Sequence, residues 1–215
     1  MERSGGLSEL QVAVAEIFFG LDEAAGFLVA GGAALVASEL IARPTEDIDL
    51  FAAAPTTSVS AASRALQAAL GEQSHEVLVV QEAPTFCRLV VSRAGEETLV
   101  DLAVDSPPHE RPTMTVLGPT MAPLELAGRK LLALFGRAEA RDFADVYVLA
   151  DRFGTQALIE EAQTLDAGFD LEVLAQMIGT LDRFDDDEIP LDQHRRPLAR
   201  TFFAEWANEL RQRQP

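Results

Sequence analysis

Apolar positions follow two regimes along the chain. Up to about residue 105 they alternate with polar residues or cluster in short runs, and from Ala122 onward they recur at helical spacing. Residues 7–19 predict a first helix. The run FLVA (27–30) predicts a short strand ending in Gly31-Gly32, and AALVASELIA (33–42) predicts the helix after it. RPTED (43–47) reads as a loop, with Pro44 and Thr45 as turn and capping types. IDLFAA (48–53) is a second strand, and residues 58–70 a further helix. Strands at 76–81, 85–93 and 97–105 follow, the last two joined by the hairpin signal Ala94-Gly95-Glu96. The stretch SPPHERPT (106–113) breaks the pattern. Beyond it the periodicity predicts helices at 122–135 and 139–153, two more before Phe184, and one at 196–211. An acidic loop (182–190) precedes the last helix. The expected organisation is an α/β (α+β) domain of five strands over residues 1–110 and a helical domain over residues 111–215.

One stretch fits a strand's period but not its usual chemistry. In RPTEDIDLF, Asp47 and Asp49 alternate with Ile48 and Leu50, so both carboxylates point to one face. Two anions about 7 Å apart along a strand repel each other and resist desolvation, an arrangement that a cation between them relieves. Asp101, mid-strand among apolar neighbours in LVDLAVD, is the candidate for a third carboxylate, whereas Asp105 borders the proline-rich stretch. Such a set can hold two Mg²⁺ ions about 4 Å apart. Glycines at a strand-to-helix turn let a phosphate approach the backbone. Each signal has a plainer reading. The D-x-D can be an exposed acidic face or pair with an arginine, and Gly-Gly can be only a turn. Their joint order, strand–GG–helix–loop–D-x-D, is the more specific feature.

Charge narrows the class. The net charge of −18 argues against an extended nucleic-acid cradle. The charge is uneven, however: Arg195, Arg196, Arg200, Arg211 and Arg213 leave room for a local basic patch in the last helix. Of seventeen basic residues, Lys130 is the only lysine. It opens the segment GRKLLALFGRAEARDFADVYVL, where Lys130, Arg137 and Arg141 would share a face if the helix ran on past Gly136. Asp142 and Asp145 also share a face. Lysine there suits a triphosphate, while a surface helix with intrahelical pairs such as Arg141–Asp145 is the alternative. His75, His109 and His194 have no ligand spacing and read as surface residues. Cys87 reads as a buried strand residue and Phe202, Phe203 and Trp206 as packing of the last helix. The single cysteine excludes an intramolecular disulfide, the first ten residues lack a secretory pattern, and no apolar run is long enough for a membrane span. A cytoplasmic location is expected.

FLVAGGAAL, RPTEDIDLF and KLLALFGRAEARDFADVYVL, in that order, resemble the AbiEii-type nucleotidyltransferases, which include the MenT-type toxins of toxin–antitoxin pairs. The resemblance covers roughly residues 27–149. It implies a DNA polymerase β-like nucleotidyltransferase fold, with a small mixed sheet carrying Mg²⁺ ligands at Asp47 and Asp49. It further implies phosphate approach at Gly31 and Gly32, Thr45 at a Ser/Thr position before the aspartates, Lys130 on the NTP phosphates and Asp145 supporting the site; from the residues of the segment, Arg137 or Arg141 would assist Lys130. A phosphate on Thr45 would repel NTP and compete for Mg²⁺. The Gly-Gly pair lies well upstream of D-x-D, as in the AbiEii branch. The expected activity is Mg²⁺-dependent transfer of NMP from NTP to the 3′ acceptor end of tRNA, by a toxin with a cognate antitoxin. Two alternatives stay open: transfer to a small molecule (aminoglycoside-like) or a protein hydroxyl, and a non-catalytic nucleotidyltransferase-fold binding protein.

Overall fold

The alternation around Asp47 becomes a strand, β2 (Asp47–Ala53), whose residues switch between half-buried and buried at every step. Its aliphatic members, Ile48 and Leu50, are fully buried, so this face belongs to the core and the carboxylate face does not. The computed structural model describes residues 6–53 and 58–212. The chain forms two units, Met1–Pro123 and Leu124–Pro215.

The first unit is a seven-stranded mixed sheet with helices. Besides β2, its strands are β1 (Phe27–Ala30), β3 (Glu76–Ala83), β4 (Phe86–Arg93), β5 (Glu96–Asp105), β6 (Thr113–Thr115) and β7 (Gly118–Thr120). Their order is β3-β4-β5-β2-β1-β7-β6. β2 runs parallel to β5 and antiparallel to β1, and β1 runs parallel to β7. Helices α1 (Glu9–Phe19) and α3 (Val59–Glu72) contact the sheet. Cys87, Leu89, Val100, Leu102, Ile48 and Leu50 are fully buried on one face of β4, β5 and β2. Adjacent registers hold them on that face and leave Arg88, Asp101 and Asp49 on the other.

Four local outcomes differ from the sequence reading. The glycine pair is not a turn ahead of the helix: α2 (Gly31–Ala37) begins at Gly31. That helix stops five residues before the predicted end, where Glu39 takes a positive φ of 55°. Two further strands, β6 and β7, lie just beyond the proline-rich stretch. They are too short for periodicity to reveal, and β7 ties into the sheet by pairing Thr120 with Val29. His75, read as a surface residue, is buried at 5% exposure. It follows the end of α3, with Nδ1 3.3 Å from the Leu70 carbonyl.

The second unit is helical: α4 (Pro123–Gly136), α5 (Ala140–Phe153), α6 (Thr155–Leu165), α7 (Leu171–Ile178) and α8 (Arg196–Gln212). Phe203 and Trp206 of α8 are buried as the spacing suggested, and Phe203 meets Phe143 edge-on at 5.2 Å between ring centres. Gly128 lets α4 lie close to α6, since a Cβ there would stand 2.3 Å from Glu161 Cγ. No helix among the described residues is long and apolar enough to cross a membrane.

Candidate active site

The carboxylate face of the first unit is built by register. Asp49 pairs across the ladder with Ala30 on β1 and with Asp101 on β5, and Asp101 pairs in turn with Arg88 on β4. Residues paired across a ladder share a face, so Arg88, Asp101 and Asp49 form a row at right angles to the strands. Asp47 lies two residues from Asp49 on the same face of β2.

The glycines have a specific steric reason. Gly31 has φ +63°, and a Cβ built there would lie 1.7 Å from Asp49 Oδ2. A Cβ at Gly32 would lie 2.8 Å from Thr45 Oγ1. What approaches the glycine backbone is therefore the chain's own D-x-D segment. Thr45 donates its hydroxyl to Asp47 Oδ1 at 2.7 Å. The Thr45 carbonyl accepts from Gln11 Nε2 at 2.9 Å, and Gln11 is itself fixed in a reciprocal cap with Ser8. A cap on α1 thus steadies the loop that enters β2.

Asp101 pairs with Arg88 through both carboxylate oxygens. The guanidinium donates Nε to Oδ1 at 2.7 Å and Nη2 to Oδ2 at 2.5 Å, a two-pronged charge-assisted pair. Arg88 also lies over the Phe86 ring, 5.6 Å from its centre. The hydrogen bonding to Asp101 raises the Arg88 pKa despite desolvation, helped by the charges of Asp101, Asp49 and Asp47. Arg88 had no signal in the sequence reading; the β4–β5 hairpin register was the clue that could have found it.

The donor set suits a hard cation, because the face offers carboxylate oxygens and neither thiolate nor imidazole. Among the described residues, no three His, Cys, Asp or Glu side chains converge as a metal-binding group. The fit is thus to Mg²⁺ held by one or two carboxylates, with phosphate and water supplying the remainder. Asp47 and Asp49 are the residues placed to do this.

In the second unit, Lys130 is buried at 7% exposure, with Nζ 3.3 Å from Asp142 Oδ1 and 3.2 Å from Asp145 Oδ2. Gly136 ends α4, Ala138 takes a positive φ of 50°, and Arg141 pairs with Glu139. Lys130, Arg137 and Arg141 accordingly do not lie along one continuous helix. Arg137 donates to Asp142 at 2.9 and 3.1 Å. Asp142 is the group that the sequence reading undervalued: fully buried, it accepts from Lys130, Arg137 and the Glu139 N–H. Burial pushes its pKa up, but the Arg137 hydrogen bond, the Lys130 and Arg137 charges and the Glu139 N–H together hold it below the ordinary carboxylate value. Lys130 has three donors and two carboxylate partners, which leaves one N–H for a further acceptor.

Arg200 donates to Asp186 and to the Leu181 and Phe184 carbonyls, Arg196 donates to the Leu191 carbonyl, Arg195 covers the Tyr147 ring, and the exposed Arg211 donates to Asn208 Oδ1. Arg213 lies outside the described residues.

Comparison with known proteins bears on both units. A family model described as the nucleotidyl transferase AbiEii toxin of type IV toxin–antitoxin systems matches residues 18–212. Comparison with curated protein sequences finds no match. A Helicobacter pylori structure, provisionally described as a nucleotidyltransferase, aligns with a TM-score of 0.56 at 15% identity, over 97% of this chain and 100% of that one. JHP933 from Helicobacter pylori gives 0.54 at 16% identity, over 96% of each chain. MenT4, a nucleotidyltransferase toxin from Mycobacterium tuberculosis, gives 0.51 at 13% identity, over 95% of this chain and 90% of that one. At these identities the structures show a shared fold.

Proposed function

Because the chain belongs to the AbiEii nucleotidyltransferase toxin family of type IV toxin–antitoxin systems, we propose that it transfers NMP from an NTP to the 3′ end of tRNA in an Mg²⁺-dependent reaction. The observation that carries this reading is the carboxylate pair Asp47 and Asp49 on one half-buried face of β2, with Gly31 shaped around Asp49. When bound there, Mg²⁺ would neutralise phosphate charge and make the attacking hydroxyl more nucleophilic. Thr45 orients Asp47 through its hydroxyl. Gly31 leaves room for the Asp49 carboxylate and Gly32 for the Thr45 hydroxyl. Lys130, held by Asp145 and Asp142, is the candidate cation for the triphosphate. Arg137 anchors Asp142. The acceptor hydroxyl oxygen bonds to the α-phosphorus as the bond to the β-phosphate breaks; pyrophosphate leaves and the hydroxyl proton passes to solvent. Positioning and charge neutralisation supply the rate, with no covalent enzyme intermediate.

Membership in this family implies an NTP substrate and a cognate antitoxin. A cytoplasmic location is our reading of the single, buried Cys87.

One observation favours a second acceptor class. With a net charge of −18, the protein suits a cationic small molecule better than a polyanion. The test is incubation with Mg²⁺, each α-³²P-labelled NTP in turn and total tRNA, with Asp47→Ala as control. Label on RNA that disappears in the variant supports the tRNA reading. Turnover of NTP with unlabelled RNA moves the acceptor to a small molecule or a protein hydroxyl. Nucleotide binding without turnover, unchanged in Asp49→Ala, would leave a non-catalytic binding protein.

A further inference from the structure

The carboxylate row of the first unit includes one cation, Arg88, to which the proposed reaction gives no part. We propose that Arg88 is a stacking platform for the 3′-terminal base of the acceptor RNA and so helps select which end reaches Asp47 and Asp49. This rests on the tRNA reading of the same site.

Arg88 is held in one orientation. Asp101 accepts from Nε at 2.7 Å and from Nη2 at 2.5 Å, which fixes the guanidinium along one edge. Phe86 backs it, with the Arg88 Cζ 5.6 Å from the ring centre. Even so, 41% of the Arg88 side chain is exposed, against 10% of Asp101. A guanidinium gripped along its edge and backed by a ring presents its remaining face as a flat surface for another planar group.

The surroundings select that group. Phe86, Arg88 and Val90 alternate with the buried Cys87, Leu89 and Val91, so Val90 flanks Arg88 on the side away from Phe86. Val90 pairs with Leu78 of β3, and Leu78 is 64% exposed. Beside the guanidinium there is thus an open aliphatic patch on the same face. Charge points the same way. Asp101 is the direct partner of Arg88, and Asp49 and Asp47 add negative charge nearby, so this end of the face does not favour a bare phosphate. A nucleobase is planar, uncharged and negative on its π face, which suits an arginine already matched by a carboxylate. Arg88 is two strands from Asp49, about 10 Å at the backbone. One nucleoside can bridge that span, with its base on Arg88 and its 3′ hydroxyl near the aspartates. A protein of net charge −18 can in this way hold an RNA end by stacking, with few phosphate contacts.

The test uses a tRNA that takes up label from an α-³²P-labelled NTP, prepared with its 3′-terminal base intact or abasic and its 3′ hydroxyl kept in both. Wild type and Arg88→Lys are compared by tRNA binding and by kcat/KM for transfer. The lysine keeps the charge opposite Asp101 and removes the plane. Wild type is expected to lose about tenfold in both measures when the base is missing. Arg88→Lys is expected to bind the intact tRNA about tenfold more weakly than wild type, and to lose less than about twofold more when the base is removed. Its KM for NTP should stay within about twofold of the wild-type value. Wild-type protein that treats the two tRNAs alike overturns the inference and leaves the tRNA reading standing. So does a base dependence undiminished in Arg88→Lys, which would mean that the base is read elsewhere. A rise in KM for NTP as large as the loss in tRNA binding would make Arg88 a nucleotide contact and also overturns it. If Arg88→Lys fails to fold by circular dichroism, Phe86→Leu takes its place and must show a smaller base dependence than wild type. If no tRNA accepts label with any NTP, the tRNA reading itself fails and the inference falls with it.

Discussion

Replacing Gly31 with alanine tests whether this position is shaped around Asp49. Two costs add. Alanine in the left-handed region, at φ +63°, costs about 1–2 kcal/mol. Its Cβ would also lie 1.7 Å from Asp49 Oδ2 and 2.7 Å from Asp49 Cγ, both too close to exist, so the carboxylate must swing away. Crowding of that kind costs a further ~1–3 kcal/mol, for a total of about 2–5 kcal/mol. The second cost depends on the carboxylate and can be removed separately. In an Asp49→Ala background the nearest remaining side-chain atom is the Cβ at 3.2 Å, which a small shift accommodates. There the same glycine substitution is expected to cost only the backbone term, about 1–2 kcal/mol. Urea titration of the four proteins, followed by circular dichroism, measures this coupling directly. Equal costs in the two backgrounds would refute the steric link between Gly31 and Asp49, as would a single-variant cost below about 0.5 kcal/mol.

The buried charges of the second unit yield two further expectations. Lys130→Met leaves Asp142 and Asp145 facing each other inside the protein and is expected to cost about 3–5 kcal/mol in urea titration; adding Asp145→Leu should recover part of it, and a cost under about 1 kcal/mol would show that the cluster contributes little. Asp142, with its folded pKa held below the unfolded value of about 3.9, contributes stability that is complete above that value and lost as the pH falls through the folded pKa. The stability advantage of wild type over Asp142→Asn, measured by thermal melts, should therefore be flat from about pH 7 to pH 5 and shrink below about pH 4; an advantage that grows on acidification would contradict the assignment.

The parts legible in the sequence were those governed by a short period. Alternation around Asp47 revealed the strand and the shared face of its carboxylates, and the last helix revealed its packing through Phe203 and Trp206. Pairings between segments were not legible. Asp101 was singled out as a mid-strand carboxylate, but its bond to Arg88 depends on hairpin register, which a slip of one residue would reverse. Asp142 and Asp145 were recognised as sharing a helical face. Their attachment to Lys130 depends on how the chain turns between Gly136 and Ala140, a break that the two predicted helices located without giving its geometry. His75 looked exposed because a lone histidine after a helix has no pattern of its own, and only the close of α3 encloses it. Strands β6 and β7 have three residues each, too few to show alternation.

The burial of Lys130 shields the folded protein from chemistry directed at lysine side chains. The chain has one lysine, and 7% of it is accessible. Reagents and enzymes that modify lysine side chains find little exposed target until α4 opens. Acylation of Lys130 is therefore a clock for local opening of the Leu124–Pro215 unit. A lysine-specific protease can cut the chain only once, within α4 and a few residues past the boundary between the units, so a single-cut digest would report the unfolding of that helix.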